Sequence, residues 1–390
     1  MRQPGAASVR TNGGLCGDQW RSERSRLGGR RQENTQSSEI VAKPVASWRE
    51  RLRIASQNPR LPACLRGTQM ASVLIAGGAG FIGSHLVARC LKENHIVHVL
   101  VRPETSLHRL RQFRGNIQLH GLHLDDREAL QRCFAEAKPE LVFHLATSTR
   151  RKEEPGLGDA LASVNEDLLG LLSTLAVAAE ARPVPKMFVR TGSLAAYGRA
   201  PTPHVESLRE MPNTVYAAAL VAGGHYVQGL QSRLPFPVVT ARLSLTYGPA
   251  QSESFLIPSL IRHCLAGEPS TIRHPNARRD LNFVDDVVEA LCRLPYANLP
   301  GGEVLNIASG NAPTMRETVT EILAATGADS AHVEFRDVEN SEDVDLCPSP
   351  VLARELLDWN VRVSLDEGLE RTVAWYRTAI TQEGIPRFVS

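Results

Sequence analysis

The run Ala76-Gly77-Gly78-Ala79-Gly80-Phe81-Ile82-Gly83-Ser84-His85-Leu86 has the residue types and spacing of a phosphate cradle. Gly77 permits a tight turn, Gly80 lets the backbone approach a pyrophosphate, and Gly83 lets a helix lie close on the preceding strand. The helix N-terminus, with Phe81 and Ile82 in its first turn, then faces the phosphates. Glycine clusters more often mark ordinary turns. Here the run links the apolar stretch Ala71-Ser72-Val73-Leu74-Ile75 to a helical stretch, which is the context a dinucleotide site requires. The cofactor type is set at the end of the next strand, His98-Val99-Leu100-Val101-Arg102, where an acid would bond the ribose hydroxyls and an arginine suits a 2′-phosphate. Val101 stands in the acid's place and Arg102 follows. This points to NADP(H), with NAD still open; an exposed strand-end arginine is the plain alternative.

Other chemistries find little support. The seven cysteines, Cys16, Cys64, Cys90, Cys133, Cys264, Cys292 and Cys347, form no C-x-x-C pair, which predicts a reducing, cytoplasmic setting and no structural zinc. The histidines His95, His98, His120 and His123 fall in strand-like runs, so no metal is expected. Gly192-Ser193 lacks the G-x-S-x-G of a hydrolase elbow. No apolar run is long enough for a membrane span; Leu168–Ala179 is interrupted by Gly170, Ser173 and Thr174.

The cradle must be positioned by a sheet. Short β-branched runs near 72–76, 96–101, 117–121, 140–144, 186–191 and 236–241 alternate with helical stretches, which predicts a parallel sheet covered on both faces. The fold class is therefore α/β, a Rossmann-type doubly wound parallel sheet. A dinucleotide-binding core over about 70–250 and a smaller C-terminal α/β substrate lobe, mainly 250–390, are expected. Composition agrees with a globular chain, 42% hydrophobic and 22% charged over 390 residues. The near balance of 44 basic and 42 acidic residues hides two unlike pieces, for 1–69 carries a net charge of +8 and 70–390 of −6. The basic piece has too little apolar periodicity to offset its ordering entropy, and reads as a disordered, solvated extension. Its interleaved acids, Glu23, Glu33, Glu39 and Glu50, argue against a nucleic-acid arm and against a transit peptide.

The motifs from Gly77 onward resemble the extended short-chain dehydrogenase/reductase superfamily, and within it the NAD-dependent epimerase/dehydratase family acting on nucleotide sugars. The resemblance runs through Val142-Phe143-His144-Leu145-Ala146, Asn165 with the helix after it, Ser193-Leu194-Ala195-Ala196-Tyr197-Gly198, Tyr247-Gly248-Pro249, Arg279-Asp280 to Asp285-Asp286, and the closing stretch Trp359 to Tyr376. It covers essentially all of 70–390. It implies that Leu145 and Ala146 border the cofactor, and that Asp125 or Asp126 replaces the adenine-contacting acid, whose position holds His123, unless these acids simply begin the next helix. It also implies that Asn165 orders its helix beside the active-site strand, that Phe255 lies near the nucleotide of the substrate, and that Arg279 grips the substrate diphosphate, unless it merely pairs with Asp280.

The same resemblance makes Tyr216 the proton acid/base and Ser193 the partner that hydrogen-bonds the reacting oxygen. Tyr216 also contacts the cofactor in such enzymes. A lysine four residues on normally favours the phenolate and holds the cofactor ribose, because residues four apart share a helix face. This chain reads Tyr216-Ala217-Ala218-Ala219-Leu220, and no lysine follows Lys186. Two readings stay open: an NAD(P)-dependent 4-ketoreductase or 4-epimerase of a nucleotide sugar, or a catalytically silent cofactor-binding or regulatory protein. Residues Leu194, Ala195 and Ala196 supply no acid after Ser193, which disfavours elimination and decarboxylation. The small residues Ala217, Ala218, Val221 and Ala222, with the helix after Asn165, suggest a homodimer built on two helices.

Overall fold

The computed structural model describes residues 70–149, 154–337 and 344–383; the expectation for 1–69 lies outside them. Seven strands form one parallel sheet in the order β10-β6-β5-β4-β1-β2-β3. They are β1 (Ser72–Ala76), β2 (Ile96–Val101), β3 (Ile117–Gly121), β4 (Leu141–His144), β5 (Met187–Ser193), β6 (Val238–Leu243) and β10 (Val304–Ile307). The first six fall on the runs read from the sequence.

Helices cover both faces, as a doubly wound sheet requires. On one face, α1 (Phe81–Lys92) and α6 (Val284–Arg293) bury Leu86, Val87, Val284 and Val287 against Val73, Ile75 and Val99. On the other, α2 (Arg127–Ala137), α3 (Gly158–Glu180) and α4 (Val215–Leu230) bury Leu130, Leu171 and Val227 against Leu74, Val142 and Phe188. Strands buried on both faces must be apolar on both, which is why they read as runs rather than as alternation.

Helix α3 spans Gly158–Glu180 and contains a π-helical segment, Val164–Leu169. By length and composition alone it would pass for a membrane span. Its inner residues Leu171, Leu175, Val177 and Ala178 belong to the sheet-facing core.

After β6 the chain forms two small parallel pairs, β7 (Leu245–Tyr247) with β9 (Leu281–Phe283) and β8 (Ser270–Ile272) with β11 (Val333–Phe335). Around them lie α5 (Leu256–Ala266), α7 (Met315–Thr326), α8 (Val351–Leu357) and α9 (Leu365–Glu383). Strand β10 also comes from beyond residue 250 and completes the main sheet beside β6. Its apolar run is broken by Asn306, which is wholly buried yet satisfied: it accepts the Tyr197 hydroxyl at 2.8 Å and donates to the carbonyls of His204 and Ser349.

The acids of the Arg279 to Asp286 stretch serve this scaffold. Asp280 accepts from the Ser309 and Gly310 N–H groups at 3.0 and 2.7 Å and from the Ser309 hydroxyl. Asp286 receives the N–H groups of Arg362 and Val363, and its carbonyl receives the Trp359 indole at 3.0 Å. Burial raises the pKa of both carboxyls, and these donors oppose the rise.

Candidate active site

A cleft of about 950 Å³ opens at the C-terminal ends of β1, β4 and β5. In a doubly wound sheet this is where the strand order reverses and ligands bind. It is lined by Gly77, Gly80, Phe81, Ile82, Gly83, Arg102, Leu145, Ser193, Tyr216, Phe255 and Arg279, so residues as far apart in sequence as Gly77 and Arg279 meet in one space.

The cradle has the geometry its glycines imply. Gly77 takes φ +82°, a left-handed conformation that side chains resist, and a Cβ on it would strike the Leu145 carbonyl at 2.8 Å. Gly80 caps α1, no acid occupies the first turn, and the first amide with a helical acceptor is that of Ser84, bonded to the Gly80 carbonyl at 3.0 Å. The amides of Phe81, Ile82 and Gly83 therefore remain for an anion. Gly77 to Gly83 and Leu145 fit a dinucleotide pyrophosphate, and a nicotinamide bound there supplies the hydride acceptor or donor.

Tyr216 lies in the first turn of α4, which Thr214 caps by accepting the Ala217 amide at 3.2 Å. Ser193, at the end of β5, and Thr147, just beyond β4, line the same cleft as Tyr216. Burial pushes the phenol up to about 12. The Ser193 and Thr147 hydroxyls and the Arg190 charge oppose the rise, and the Asp167 carboxylate adds to it. Leu220, at the lysine position, is buried at 5% exposure and lies outside both sheet-packing apolar clusters.

Three residues named from the sequence do not line the cleft. Asn165 is exposed in the π segment; the wider turn re-phases the helix, and Asp167 points inward in its place. Asp167 is 6% exposed and accepts the Ser148 amide and the Ser163 hydroxyl, both at 2.9 Å. Asp125 is exposed in the turn before α2, whose cap is Asp126, accepting the Ala129 amide at 2.9 Å. Ala146 packs behind the cradle against the α2–α3 face of the core, its amide close to Gly77.

Arg102 lines the cleft with its guanidinium 3.4 Å from both Glu104 and Glu166. The substrate end holds Phe255, half-buried as the residue before α5, and Arg279. Arg279 donates to the Arg278 carbonyl at 2.9 Å and to that of Val344. Asp280, spent on the 309–310 loop, is not the anchor of Arg279 suggested by sequence adjacency. Sequence reading missed Arg109, His108, Arg273 and His274, which join Arg102 and Arg279 around the cleft. Among the described lining residues there is no carboxylate, and such a one-signed lining concentrates anions.

Fold and cleft together define a dinucleotide-binding α/β protein with a tyrosine–serine pair at the switch point of its sheet. Residues 73–308 match the NAD dependent epimerase/dehydratase family, and the chain belongs to that family. It is 31% identical to a UDP-glucose 4-epimerase of Mycolicibacterium smegmatis over 315 residues, covering 78% of this chain and 98% of that protein. Among solved structures, the UDP-glucose 4-epimerase of Thermotoga maritima with UDP-glucose superposes with a TM-score of 0.71 at 25% identity, covering 79% of this chain and 99% of that one. The Thermus thermophilus UDP-glucose 4-epimerase complex with NAD gives 0.69 at 26% identity, with the same coverage.

Proposed function

We propose that this protein is an NAD(P)-dependent enzyme acting at C4 of a nucleotide-linked sugar, by 4-epimerisation or 4-ketoreduction, with Tyr216 as acid/base. The observation that carries the reading is that Tyr216 and Ser193 line one cleft together with the α1 N-terminus and Arg279. The two UDP-glucose 4-epimerase structures support C4 chemistry on a UDP-hexose. Tyr216 takes the C4 hydroxyl proton when the carbon is oxidised and returns it when the ketone is reduced; Ser193 hydrogen-bonds the same oxygen and spreads its developing charge. Arg279 holds the substrate diphosphate. Leu194, Ala195 and Ala196 after Ser193, and the lack of a carboxylate among the described lining residues, disfavour elimination and decarboxylation. The full chain, incubated with NAD or NADPH and a panel of UDP- and dTDP-hexoses and their 4-keto forms, should yield the C4 epimer or the 4-alcohol by chromatography. Cofactor binding without any product would leave the second reading, a silent cofactor-binding protein, which Leu220 favours.

For the cofactor, NADP(H) is the preferred reading. The Arg102 ion pairs are exposed, and pairs of this kind contribute little, so a 2′-phosphate can displace them. Arg102→Ala should weaken NADPH binding about ten-fold while leaving NADH nearly unchanged, a difference that fluorescence titration resolves. Equal affinities before and after the substitution would assign the protein to NAD. The free cysteines Cys90, Cys133, Cys264, Cys292 and Cys347 accord with a cytoplasmic setting.

The enzyme should be a homodimer through α3 and α4. Leu161, Val164 and Leu169 on α3 and Tyr226 on α4 are apolar side chains at 45–66% exposure, a patch that a second copy would cover. Light scattering should give twice the chain mass, and Leu161→Glu should reduce it to one; a monomeric wild type would refute the interface.

A further inference from the structure

A phenol partly withdrawn from water acts as a base more readily when a positive charge offsets the cost of its anion. The lysine that would supply it is replaced by Leu220, yet a cation stands at the same helix turn. Arg190 lies on β5, three residues before Ser193, at 3% exposure, and its side chain reaches the underside of α4. Its Nη2 donates to the carbonyl of Leu220 at 3.0 Å, and its Nη1 is buried without an acceptor. Gly223 leaves it room, since a Cβ there would stand 3.0 Å from Nη1.

Among the described residues no ion pair accounts for this placement. On the neighbouring strand β6, Arg242 takes Glu210 as its own partner. On β4, His144 sits beside Arg190 in register and is held neutral, its pKa pulled down to about 4 by burial and by the Arg190 charge. A buried guanidinium with an unused donor and no carboxylate is costly. Burial and the nearby Arg242 lower its own pKa to about 10, which still leaves it charged at neutrality. Among the described groups that act on the Tyr216 phenol, the Asp167 carboxylate from α3 disfavours its anion, the Ser193 and Thr147 hydroxyls favour it, and Arg190 is the cation of that set.

We propose that Arg190, bonded beneath α4 to the Leu220 carbonyl, is the fixed cation that replaces the missing lysine in favouring the Tyr216 phenolate. The inference rests on Tyr216 being the acid/base. It divides the lysine's two tasks: Arg190 does not line the cleft, so it supplies charge to the tyrosine and no hydrogen bond to a cofactor ribose. It acts through Tyr216 and is a positioning residue.

The test reads the tyrosine without needing a substrate. A fluorinated tyrosine, whose phenol titrates in an accessible range, is placed at position 216 in the full chain and followed by fluorine NMR against pH. Arg190→Gln keeps a donor for the Leu220 carbonyl but removes the charge, and should raise the titration midpoint by about one pH unit. Arg190→Lys should hold the midpoint near that of the unsubstituted arginine, which a merely space-filling role would not require. Should Arg190→Gln not fold, Gly224→Asp compared with Gly224→Asn makes the same measurement. A Cβ at Gly224 would lie 3.6 Å from Nη1, so the aspartate neutralises the guanidinium in place and should raise the midpoint, while the asparagine should not. A folded Arg190→Gln or Gly224→Asp protein with an unmoved midpoint would overturn the proposal. If no sugar nucleotide is ever turned over, the function proposed above fails while this titration still reads the Arg190 charge.

Discussion

Tyr216→Phe is expected to lower turnover at the sugar C4 by a factor of about a hundred to ten thousand while leaving cofactor affinity within a few-fold. The ring stays in place against α4, so the change removes one proton-carrying oxygen and little packing. A factor of a thousand corresponds to about 4 kcal/mol of transition-state stabilisation, which is what a positioned acid/base supplies when no other group can take the proton. Ser193 and Thr147 border the same oxygen, but a neutral hydroxyl is far too weak a base to substitute. The pH dependence separates this from a packing defect. With the phenol raised to about 12 by burial, only a small fraction is phenolate at neutrality, so the oxidation direction should gain about ten-fold per pH unit on the alkaline side. The reduction direction, which needs the protonated phenol, should stay flat over the same range. The Tyr216→Phe residual rate should be flat in both directions. A Tyr216→Phe protein that keeps half the wild-type rate would assign the proton to another group and remove the basis for the proposed chemistry.

Much of this site was legible because each signal depended on a backbone requirement rather than on a tertiary contact. The glycine run could be read because a left-handed Gly77 and a close-packed Gly83 exclude side chains at fixed spacing, and strands β1 to β6 could be read because a sheet buried on both faces must be apolar on both. Strand β10 was missed since Asn306 interrupts a four-residue run, and only the Tyr197, His204 and Ser349 partners explain why a polar side chain is tolerated there. The family resemblance places Asn165 beside the active-site strand. The π segment turns Asp167 inward instead, and no local pattern announces such a change of phase. The signal for Arg190 was present but unused. An arginine between Val189 and Thr191 in a central strand must be buried on both sides, and a buried guanidinium asks for a reason.

Gly83→Ala is expected to cost about 3 kcal/mol of stability and to abolish measurable cofactor binding. The added Cβ would stand 2.3 Å from the Gly77 carbonyl oxygen, 2.7 Å from the Gly78 Cα and 3.0 Å from the Gly77 carbonyl carbon. All three are backbone atoms, so no rotamer change relieves the clash; either the 77–80 turn or the start of α1 must move. Both carry the amides that face the phosphates, and a shift of about an ångström there removes the geometry on which anion binding at a helix N-terminus depends. Gly80→Ala is the contrast that isolates the effect. Its Cβ would approach only the Gly77 oxygen, at 3.2 Å, so the fold should lose little. Gly80 nonetheless lines the cleft, and a methyl group on it stands where the pyrophosphate must come close. Thermal unfolding and cofactor titration of the two variants should therefore diverge: Gly83→Ala loses both stability and binding, whereas Gly80→Ala keeps its melting temperature and loses affinity. A Gly83→Ala protein that binds NAD or NADP as tightly as wild type would show that the α1 N-terminus is not where the dinucleotide is held.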